Sequence, residues 1–312
     1  MKIKVAAIQI NQNLTNRDKF NKQLCGYLNQ AADKNVGLVL FPELFSTGYI
    51  PNYELWNRLA EGNQIISQLQ AAAKKYNFYI GCGHIEVIDN DIFNTYVLIN
   101  SKGEIEDKAI KENGEAYLFK RGKGKYILNT SLGIIGVGIC ADNHFCEIIE
   151  QIQNSNVVLH IMPHAWPTSV QKGNNASDFN RVNKKLHEFP IIIAKALGVP
   201  SVFINQIGEI TQMAGILGKL MNPEVFKLQG CSKIINNAGI VLSELDSSEG
   251  IIVSEIQLKS SLQKSKIPNY DGWILEGSKL LRKIIIPFDI WRGEKNYKKE
   301  LDSFLKKEKT TA

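Results

Sequence analysis

Apolar runs of strand length alternate with helical segments along most of the chain, and this alternation limits the possible folds more than any other feature of the sequence. Apolar runs at residues 4–10, 36–43 and 78–86 are separated by segments with helical periodicity, and the alternation returns from residue 133 onward. Strands that are apolar on both faces occur in sheets that helices cover. The pattern therefore predicts an α/β fold in which helices cover the sheets.

The alternating part continues to about residue 263 without a proline-rich or serine-rich linker. We therefore predict a single domain over residues 1–263. Beyond it the pattern becomes helical, which predicts a C-terminal extension of two helices over residues 264–312. This extension is expected to pack on the domain or on a partner subunit.

Charge and cysteine content argue against several classes of protein. The formal net charge of +6 over 312 residues comes without an aromatic–basic repeat or a long basic run, so nucleic-acid binding is not indicated. The five cysteines are scattered and include no Cys-x-x-Cys pair, which argues against a disulfide framework or a zinc site. The N-terminal run alternates like a strand, and no apolar stretch approaches membrane-spanning length. We therefore expect a cytoplasmic protein.

Two apolar strands end on side chains that can carry chemistry. Glu43 closes the run "LVLFPE", and Cys140 closes "GIIGVGIC", where polar residues and a new helix begin. In α/β folds functional groups collect at the carboxyl ends of strands. Burial would raise the pKa of Glu43 and suit it to general-base catalysis, whereas backbone N–H groups after Cys140 would favour its thiolate. The N–H of Ala141 would face an oxyanion formed on a carbonyl that the sulfur attacks.

The segment between these two strands, "EDKAIKENGEAYLFKRGKGKY", supplies cations and a second carboxylate. Lys108 and Lys111 both precede Glu115, and a cation near Cys140 would stabilise the thiolate and the oxyanion. The residues alone leave the two lysines as alternatives. The basic stretch "KRGKGK" either attracts an anionic substrate or belongs to a solvated loop.

The ordered set of motifs resembles the nitrilase or carbon–nitrogen hydrolase superfamily. "FPELFSTGY" has Glu43 in the family's glutamate position, and "GVGICADNHFCE" matches the family's I-C-Y-D-x-x-F-P-E motif at Cys140. "KAIKENGEAYLFKRG" resembles the lysine motif. Its spacing to Glu115 favours Lys108 as the family's lysine, with Lys111 as the rival.

This resemblance runs from the first strand to about residue 258 and implies a four-layer α-β-β-α sandwich with a Glu-Lys-Cys triad. Glu43 would act as general base for the nucleophile Cys140. Lys108 would hold the oxyanion together with the backbone N–H of Ala141. Glu115 would orient the lysine or a substrate amine.

The resemblance also implies a reaction and an assembly. The reaction is hydrolysis of a small linear amide or carbamoyl amide through a cysteine thioester, with release of ammonia or an amine. Neither a metal nor an organic cofactor is expected. Relatives commonly pair through helices, so a homodimer or a larger homo-oligomer is expected as well.

The sequence departs from the family pattern beside the cysteine. Ala141 stands in place of the usual tyrosine, and Cys146 in place of the proline of F-P-E, which predicts an altered pocket. His144, His164 and Trp166 match positions near the pocket mouth in relatives. We therefore expect these three residues to bind substrate.

Two alternatives to an amidase remain open from the sequence. Nitrile hydrolysis would use the same triad. The altered cysteine motif is also compatible with a non-catalytic relative that serves as a binding or scaffold protein.

Overall fold

Two six-stranded sheets form the centre of the computed structural model, which describes residues 1–11, 16–170, 176–260 and 263–311. A third sheet of three short strands lies beside them in the described part of the chain. The strands are β1 (Lys2–Gln9), β2 (Leu38–Leu40), β3 (Tyr79–Ile88), β4 (Asp91–Ile99), β5 (Ile105–Ile110), β6 (Ile127–Thr130), β7 (Gly133–Val137), β8 (Leu159–His164), β9 (Pro167–Ser169), β10 (Ser201–Asn205), β11 (Ile207–Glu209), β12 (Phe226–Gln229), β13 (Lys233–Ile235), β14 (Val241–Glu244) and β15 (Gly250–Gln257).

Helices lie on the outer faces of the two large sheets and at the C-terminus. The α-helices are α1 (Arg17–Asp33), α2 (Leu59–Tyr76), α3 (Cys146–Asn154), α4 (Ala176–Leu197), α5 (Gly215–Leu220) and α6 (Ile286–Thr311). Two short 3-10 helices cover Tyr53–Arg58 and Cys140–His144, and a π-helical turn covers Leu281–Ile285. None of the helices in the described ranges combines the length and the apolar character that a membrane crossing requires.

The two large sheets share one plan. The first has the order β15-β1-β2-β3-β4-β5, with β1, β2 and β3 parallel, and the second has the order β14-β13-β10-β8-β7-β6, with β7, β8 and β10 parallel. Antiparallel strands flank each parallel centre. The carboxyl ends of the parallel strands are therefore the places where loops from both sheets can meet.

The strands are apolar on both faces because each sheet has two buried faces. In β1, Val5 and Ala7 lie in the cluster between the two sheets, whereas Ala6 and Ile8 lie in the cluster under α1 and α2. A third cluster joins the second sheet to α3 and α4. The order of layers is thus helices, sheet, sheet, helices, which is the predicted α-β-β-α sandwich.

The C-terminal extension differs from the sequence prediction. Instead of two helices, a chain segment without regular secondary structure leads through the π-helical turn into the single long helix α6. Tyr297 of α6 packs edge-on against Trp56, and its hydroxyl accepts a hydrogen bond from the Ile92 N–H at 2.9 Å. The extension therefore contacts the sandwich directly. The predicted domain boundary at residue 263 stays a prediction.

Candidate active site

Glu43 lies completely buried in the turn after β2, at the carboxyl end of the parallel strands. Its Oε1 accepts hydrogen bonds from Lys111 Nζ at 2.6 Å and Asn94 Nδ2 at 2.8 Å. Its Oε2 accepts one from the backbone N–H of Ala165 at 3.0 Å. Asn94 belongs to the first sheet, and Ala165 follows β8 of the second. Both sheets therefore fix the orientation of this carboxylate.

Lys111 follows β5 and lies between two carboxylates. Its Nζ is 2.6 Å from Glu43 Oε1 and 2.9 Å from Glu115 Oε2, and its side chain is only 3% exposed. Glu115 also accepts a hydrogen bond from the hydroxyl of Tyr49 at 2.9 Å. A buried ammonium needs such partners, because an unpaired charge in the interior costs several kcal/mol.

Lys108 does not join this cluster, so the assignment from sequence is corrected. Its Nζ pairs with Glu86 Oε1 at 2.5 Å, and its side chain is 30% exposed. Lys108 lies within β5, and Lys111 is an odd number of residues beyond it, so strand alternation directs the two side chains to opposite faces. The lysine that contacts both Glu43 and Glu115 is Lys111.

Cys140 follows β7 at the start of the 3-10 helix Cys140–His144. Its φ of 47° lies in the left-handed region, where a residue with a Cβ is strained, and such strain concentrates at functional sites. The charges of Glu43 and Lys111 both act on its sulfur. The thiol, the carboxylate and the ammonium therefore lie together.

The charges at this site depend on burial and on mutual contact. Burial raises the pKa of Glu43, and although Lys111 opposes this shift the pKa stays above its ordinary value. Burial alone would lower the pKa of Lys111, but Glu115 and Glu43 outweigh it and hold that pKa well above the usual range. Burial would raise the pKa of Glu115, but Lys111 holds it below its ordinary value.

The surroundings of Cys140 favour its protonated thiol over the thiolate. Burial, followed by the negative charge of Glu43, raises the pKa of Cys140 well above its ordinary value. This contradicts the expectation that a helix start would favour the thiolate. The physical reason is that Cys140 is followed only by a short 3-10 helix, whereas α3 begins at Cys146. The favourable field of a helix N-terminus falls off within the first turn, so α3 begins too far along the chain to stabilise the thiolate. The sulfur therefore needs a base before it can act as a nucleophile.

Asp142 connects the cysteine turn to the segment that carries the lysine. Its carboxylate accepts hydrogen bonds from the backbone N–H groups of Asn113 at 2.7 Å and Glu112 at 3.2 Å. The segment that begins at Lys111 is thereby tied to the turn that begins at Cys140. Burial raises the pKa of Asp142 to about 7.

A cavity of about 330 Å³ opens in front of Cys140. Ala141, His144 and Trp166 line it, as does Glu115. Residues of the C-terminal extension complete its wall. These are Trp273, Ile286, Asp289 and Ile290.

The three residues expected to bind substrate fall into two groups. His144 and Trp166 line the cavity and contact each other at 4.8 Å between ring centroids. His164 lies behind them, 4.7 Å from the ring of Phe203, and is not part of the cavity wall. Burial lowers the pKa of His144 to about 4, so its ring is neutral at physiological pH.

Sequence reasoning missed three residues that hold the cluster. Asn94 and Ala165 bind the carboxylate of Glu43, and Tyr49 binds Glu115. Tyr49 lies within the quoted glutamate motif, so it could have been found, whereas the strand patterns around Asn94 and Ala165 carry no such signal. Within the described ranges, no three His, Cys, Asp or Glu side chains are grouped to hold a metal ion.

The two sheets pack face to face and are covered by helices, and a carboxylate, an ammonium and a thiol lie together at one end. This arrangement is a nitrilase-type sandwich. The family model for carbon–nitrogen hydrolases matches residues 4–263, and the chain belongs to this family. The predicted superfamily, the sandwich fold and an enzyme of the carbon–nitrogen hydrolase class are thereby confirmed.

Individual relatives are distant but cover most of the chain. Nitrilase homolog 2 of Dictyostelium discoideum is 24% identical over 277 residues, which span 82% of this chain and 76% of that protein. The 2-oxoglutaramate amidase of Bacillus subtilis is 27% identical over 252 residues, 76% of this chain and 85% of that one. The crystal structure of a carbon–nitrogen hydrolase from Helicobacter pylori G27 superimposes with a TM-score of 0.70 at 19% identity, covering 83% of this chain and 90% of that chain. These matches agree on fold and family.

Proposed function

We propose that this enzyme is an amidase that hydrolyses the C–N bond of a small amide, with Cys140 as nucleophile, Glu43 as general base and Lys111 as the cation that stabilises the oxyanion. The observation that carries the proposal is the contact of Lys111 with both Glu43 and Glu115 beside a strained cysteine that lines a cavity. The amidase name of the Bacillus subtilis relative supports an amide as the substrate class.

The acylation half begins with proton transfer. The Cys140 thiol gives its proton to the Glu43 carboxylate, and the sulfur attacks the amide carbonyl carbon. The oxyanion that forms is held by Lys111 Nζ and by the backbone N–H of Ala141. Lys111 can contribute because its longest contact, 3.3 Å to Glu115 Oε1, is weak enough to be exchanged for the oxyanion.

Collapse of the tetrahedral intermediate breaks the C–N bond. Glu43 passes its proton to the departing nitrogen, which leaves as ammonia or an amine, and a thioester remains on Cys140. Glu43 then takes a proton from water, whose oxygen attacks the thioester. The second collapse releases the carboxylic acid, and Glu43 returns its proton to the sulfur. Glu43 thus serves as base and as acid in both halves, for which a raised pKa is suitable.

The supporting residues act through these three. Glu115, fixed by Tyr49, keeps Lys111 charged and in place, and Asn94 keeps Glu43 oriented. These are positioning roles. His144 and Trp166, on the cavity wall, would contact the acyl part of the substrate.

The test is an ammonia-release assay over a panel of small amides, carbamoyl amines and nitriles, with the wild-type enzyme and Cys140→Ala. We expect release from at least one class of amide by the wild-type enzyme and none by the variant. Release from nitriles alone would replace the amidase proposal with nitrile hydrolysis. No release from any compound, with a normal melting curve, would instead favour a binding protein.

A further inference from the structure

We infer that Asp289, which α6 supplies to the cavity in front of Cys140, is a specificity residue that binds a cationic ammonium or guanidinium group on the acyl end of the substrate. The inference rests on the proposed amidase function and names the substrate class for that same site. A carboxylate at this place is unexpected in a wall that is otherwise mostly apolar. Its contacts decide what it can bind.

The carboxylate of Asp289 is buried but only partly satisfied. The side chain belongs to a residue that is 7% exposed. One oxygen, Oδ1, accepts hydrogen bonds from the Tyr117 hydroxyl at 3.0 Å and from the Ile216 N–H at 2.7 Å. Among the described residues, none donates a hydrogen bond to Oδ2 or forms an ion pair with this carboxylate. A buried anion with a free oxygen favours a cationic ligand.

The cavity contains no positive side chain that would compete for this oxygen. None of the residues that line it, all of which are described, is a lysine or an arginine. The charge of Lys111 is already paired with two carboxylates, Glu43 and Glu115, and the ring of His144 is neutral. Arg292, one turn beyond Asp289 in α6, faces a separate groove beside Tyr117.

Three cations of the basic stretch KRGKGK have partners of their own, and none of its residues lines the cavity. Lys120 pairs with Asp91, and Lys125 pairs with Asp107 at 2.6 Å. Arg121 donates to the Glu112 carbonyl oxygen at 3.1 Å and lines an outer groove rather than the cavity. These cations therefore do not offer an anionic substrate a place beside Cys140. An acyl group that ends in a carboxylate would instead meet the charge of Asp289 without a counterion.

Aromatic rings complete a surface that suits an alkylammonium group. Trp273 and Phe145 line the same cavity, with ring centroids 4.5 Å apart, and Trp166 lines it as well. Aromatic faces attract ammonium and guanidinium groups and also pack on the methylene chain that would lead to the amide. The geometry thus points to an ω-amino or ω-guanidino amide.

The experiment compares three substrates of equal chain length: an ω-aminoalkanamide, the alkanamide with a methyl group in place of the ammonium, and the ω-carboxyalkanamide. The chain length is first chosen by scanning the ω-amino series. For the wild-type enzyme we expect kcat/KM to be higher for the cationic amide than for the neutral one by about tenfold or more, as one charge-assisted hydrogen bond provides. The carboxylate compound is expected to be the poorest.

The decisive variant is Asp289→Asn, because an asparagine oxygen can still accept from Tyr117 and Ile216 while the charge is lost. We expect the ratio of kcat/KM between the cationic and the neutral amide to fall to about one, mainly through a higher KM for the cationic amide. The matched control is Asp271→Asn, which removes a carboxylate of the same extension that is half-exposed and paired with Lys283 at 3.6 Å. The control is expected to leave the preference unchanged.

Two results would overturn the inference. One is a wild-type enzyme that does not prefer the cationic amide. The other is an equal loss on all three substrates in Asp289→Asn, which would leave Asp289 with a structural role only. Failure of the proposed function has a different signature, namely no hydrolysis of any amide. In that case calorimetric binding of the same three compounds to Cys140→Ala measures the preference without turnover.

Discussion

Lys111 carries a positive charge in the interior of the protein. Its contacts with two carboxylates explain why this buried charge is stable and why it lies where it can act on the reaction. A lysine in the interior keeps its charge only where anions outweigh the cost of desolvation. Glu43 and Glu115 provide that compensation. Lys108, by comparison, pairs with Glu86 outside this cluster, and its side chain is 30% exposed. The position of Lys111 is therefore suited to catalysis, whereas Lys108 is a partly exposed charge outside the site.

The first prediction compares these two lysines through Lys111→Met and Lys108→Met, which remove the ammonium group and keep an unbranched apolar side chain. We expect Lys111→Met to lower kcat by about a hundredfold or more, because a donor to the oxyanion is lost. Lys108→Met should keep activity and cost about 1–3 kcal/mol of unfolding free energy, because Glu86 loses its partner. Steady-state kinetics and thermal melting measure both effects. The opposite ranking of the two variants would return the role to Lys108.

A second prediction concerns pH. Because the pKa of Glu43 is raised by burial, kcat/KM should fall as the pH is lowered through a midpoint above the ordinary glutamate value of 4.5. Protonation removes the base, so the loss lies on the acid side. Lys111, whose pKa is raised, stays charged through the alkaline range and should cause no early loss there.

The control for this pH profile is His144→Asn. Burial lowers the pKa of His144 to about 4, so the ring is already neutral where Glu43 titrates. The variant can change the rate, since His144 lines the cavity, but the acid midpoint should not move. A midpoint that disappears in this variant would assign the acid limb to histidine and not to Glu43.

The strand β3 is in direct backbone contact with the turn that carries Glu43. Gly83 donates its N–H to the Pro42 carbonyl oxygen at 3.1 Å and accepts from the Ser46 N–H at 3.1 Å. A Cβ on Gly83 would lie 2.2 Å from the Leu44 nitrogen and 2.6 Å from the Cα of Glu43. A glycine at this position therefore allows the first sheet to hold the general base.

The third prediction follows from that contact. Gly83→Ala should shift the turn, lower the unfolding free energy by about 1–3 kcal/mol and reduce kcat, because backbone atoms cannot move aside easily. Gly26→Ala is the control, since no atom lies within 4 Å of the added methyl group in α1. It should stabilise the protein by about 0.5–1 kcal/mol and leave kcat unchanged. Denaturant unfolding and kinetics distinguish the two, and a fully active, stable Gly83→Ala would refute the role of this contact.

The sequence predicted strands and helices well where hydrophobic periodicity sets them. The segment between the first two apolar runs has helical periodicity, and in the structure it forms α1, Arg17–Asp33. The assignment of the lysine failed for a different reason. Motif spacing favoured Lys108, but strand alternation decides which of the two lysine side chains faces the site. That alternation depends on where β5 ends, and the apolar pattern of the sequence does not give the exact end of this strand. Two helices were predicted in the extension, whereas the structure has one long helix, α6, which begins directly after the π-helical turn Leu281–Ile285.

Across the whole molecule, the family of carbon–nitrogen hydrolases was identifiable from three ordered motifs, but the shape of the pocket was not. Its wall includes residues more than a hundred positions beyond Cys140, such as Trp273 and Asp289, which lie outside the matched family region at residues 4–263. Their position depends on how the C-terminal extension packs on the sandwich. No local pattern in the sequence specifies that packing, so Asp289 could be found only from the structure.

The fourth prediction concerns assembly. The homodimer or larger assembly expected from the resemblance stays a prediction, as does the cytoplasmic location. Multi-angle light scattering is expected to give at least twice the 35.0 kDa of one chain at micromolar concentration. A mass equal to one chain over the whole elution peak would contradict it.

Trapping of the acyl-enzyme tests the central claim most directly. An amide that the enzyme hydrolyses is mixed with the wild-type protein, and the reaction is quenched in acid within the first turnovers. The protein is then digested, and its peptides are mapped by mass spectrometry. We predict the acyl mass on the peptide that contains Cys140, with none on exposed Cys25 and no turnover in Cys140→Ala. An acyl group on any other cysteine, or undiminished hydrolysis by Cys140→Ala, would contradict a thioester at the junction of the two sheets.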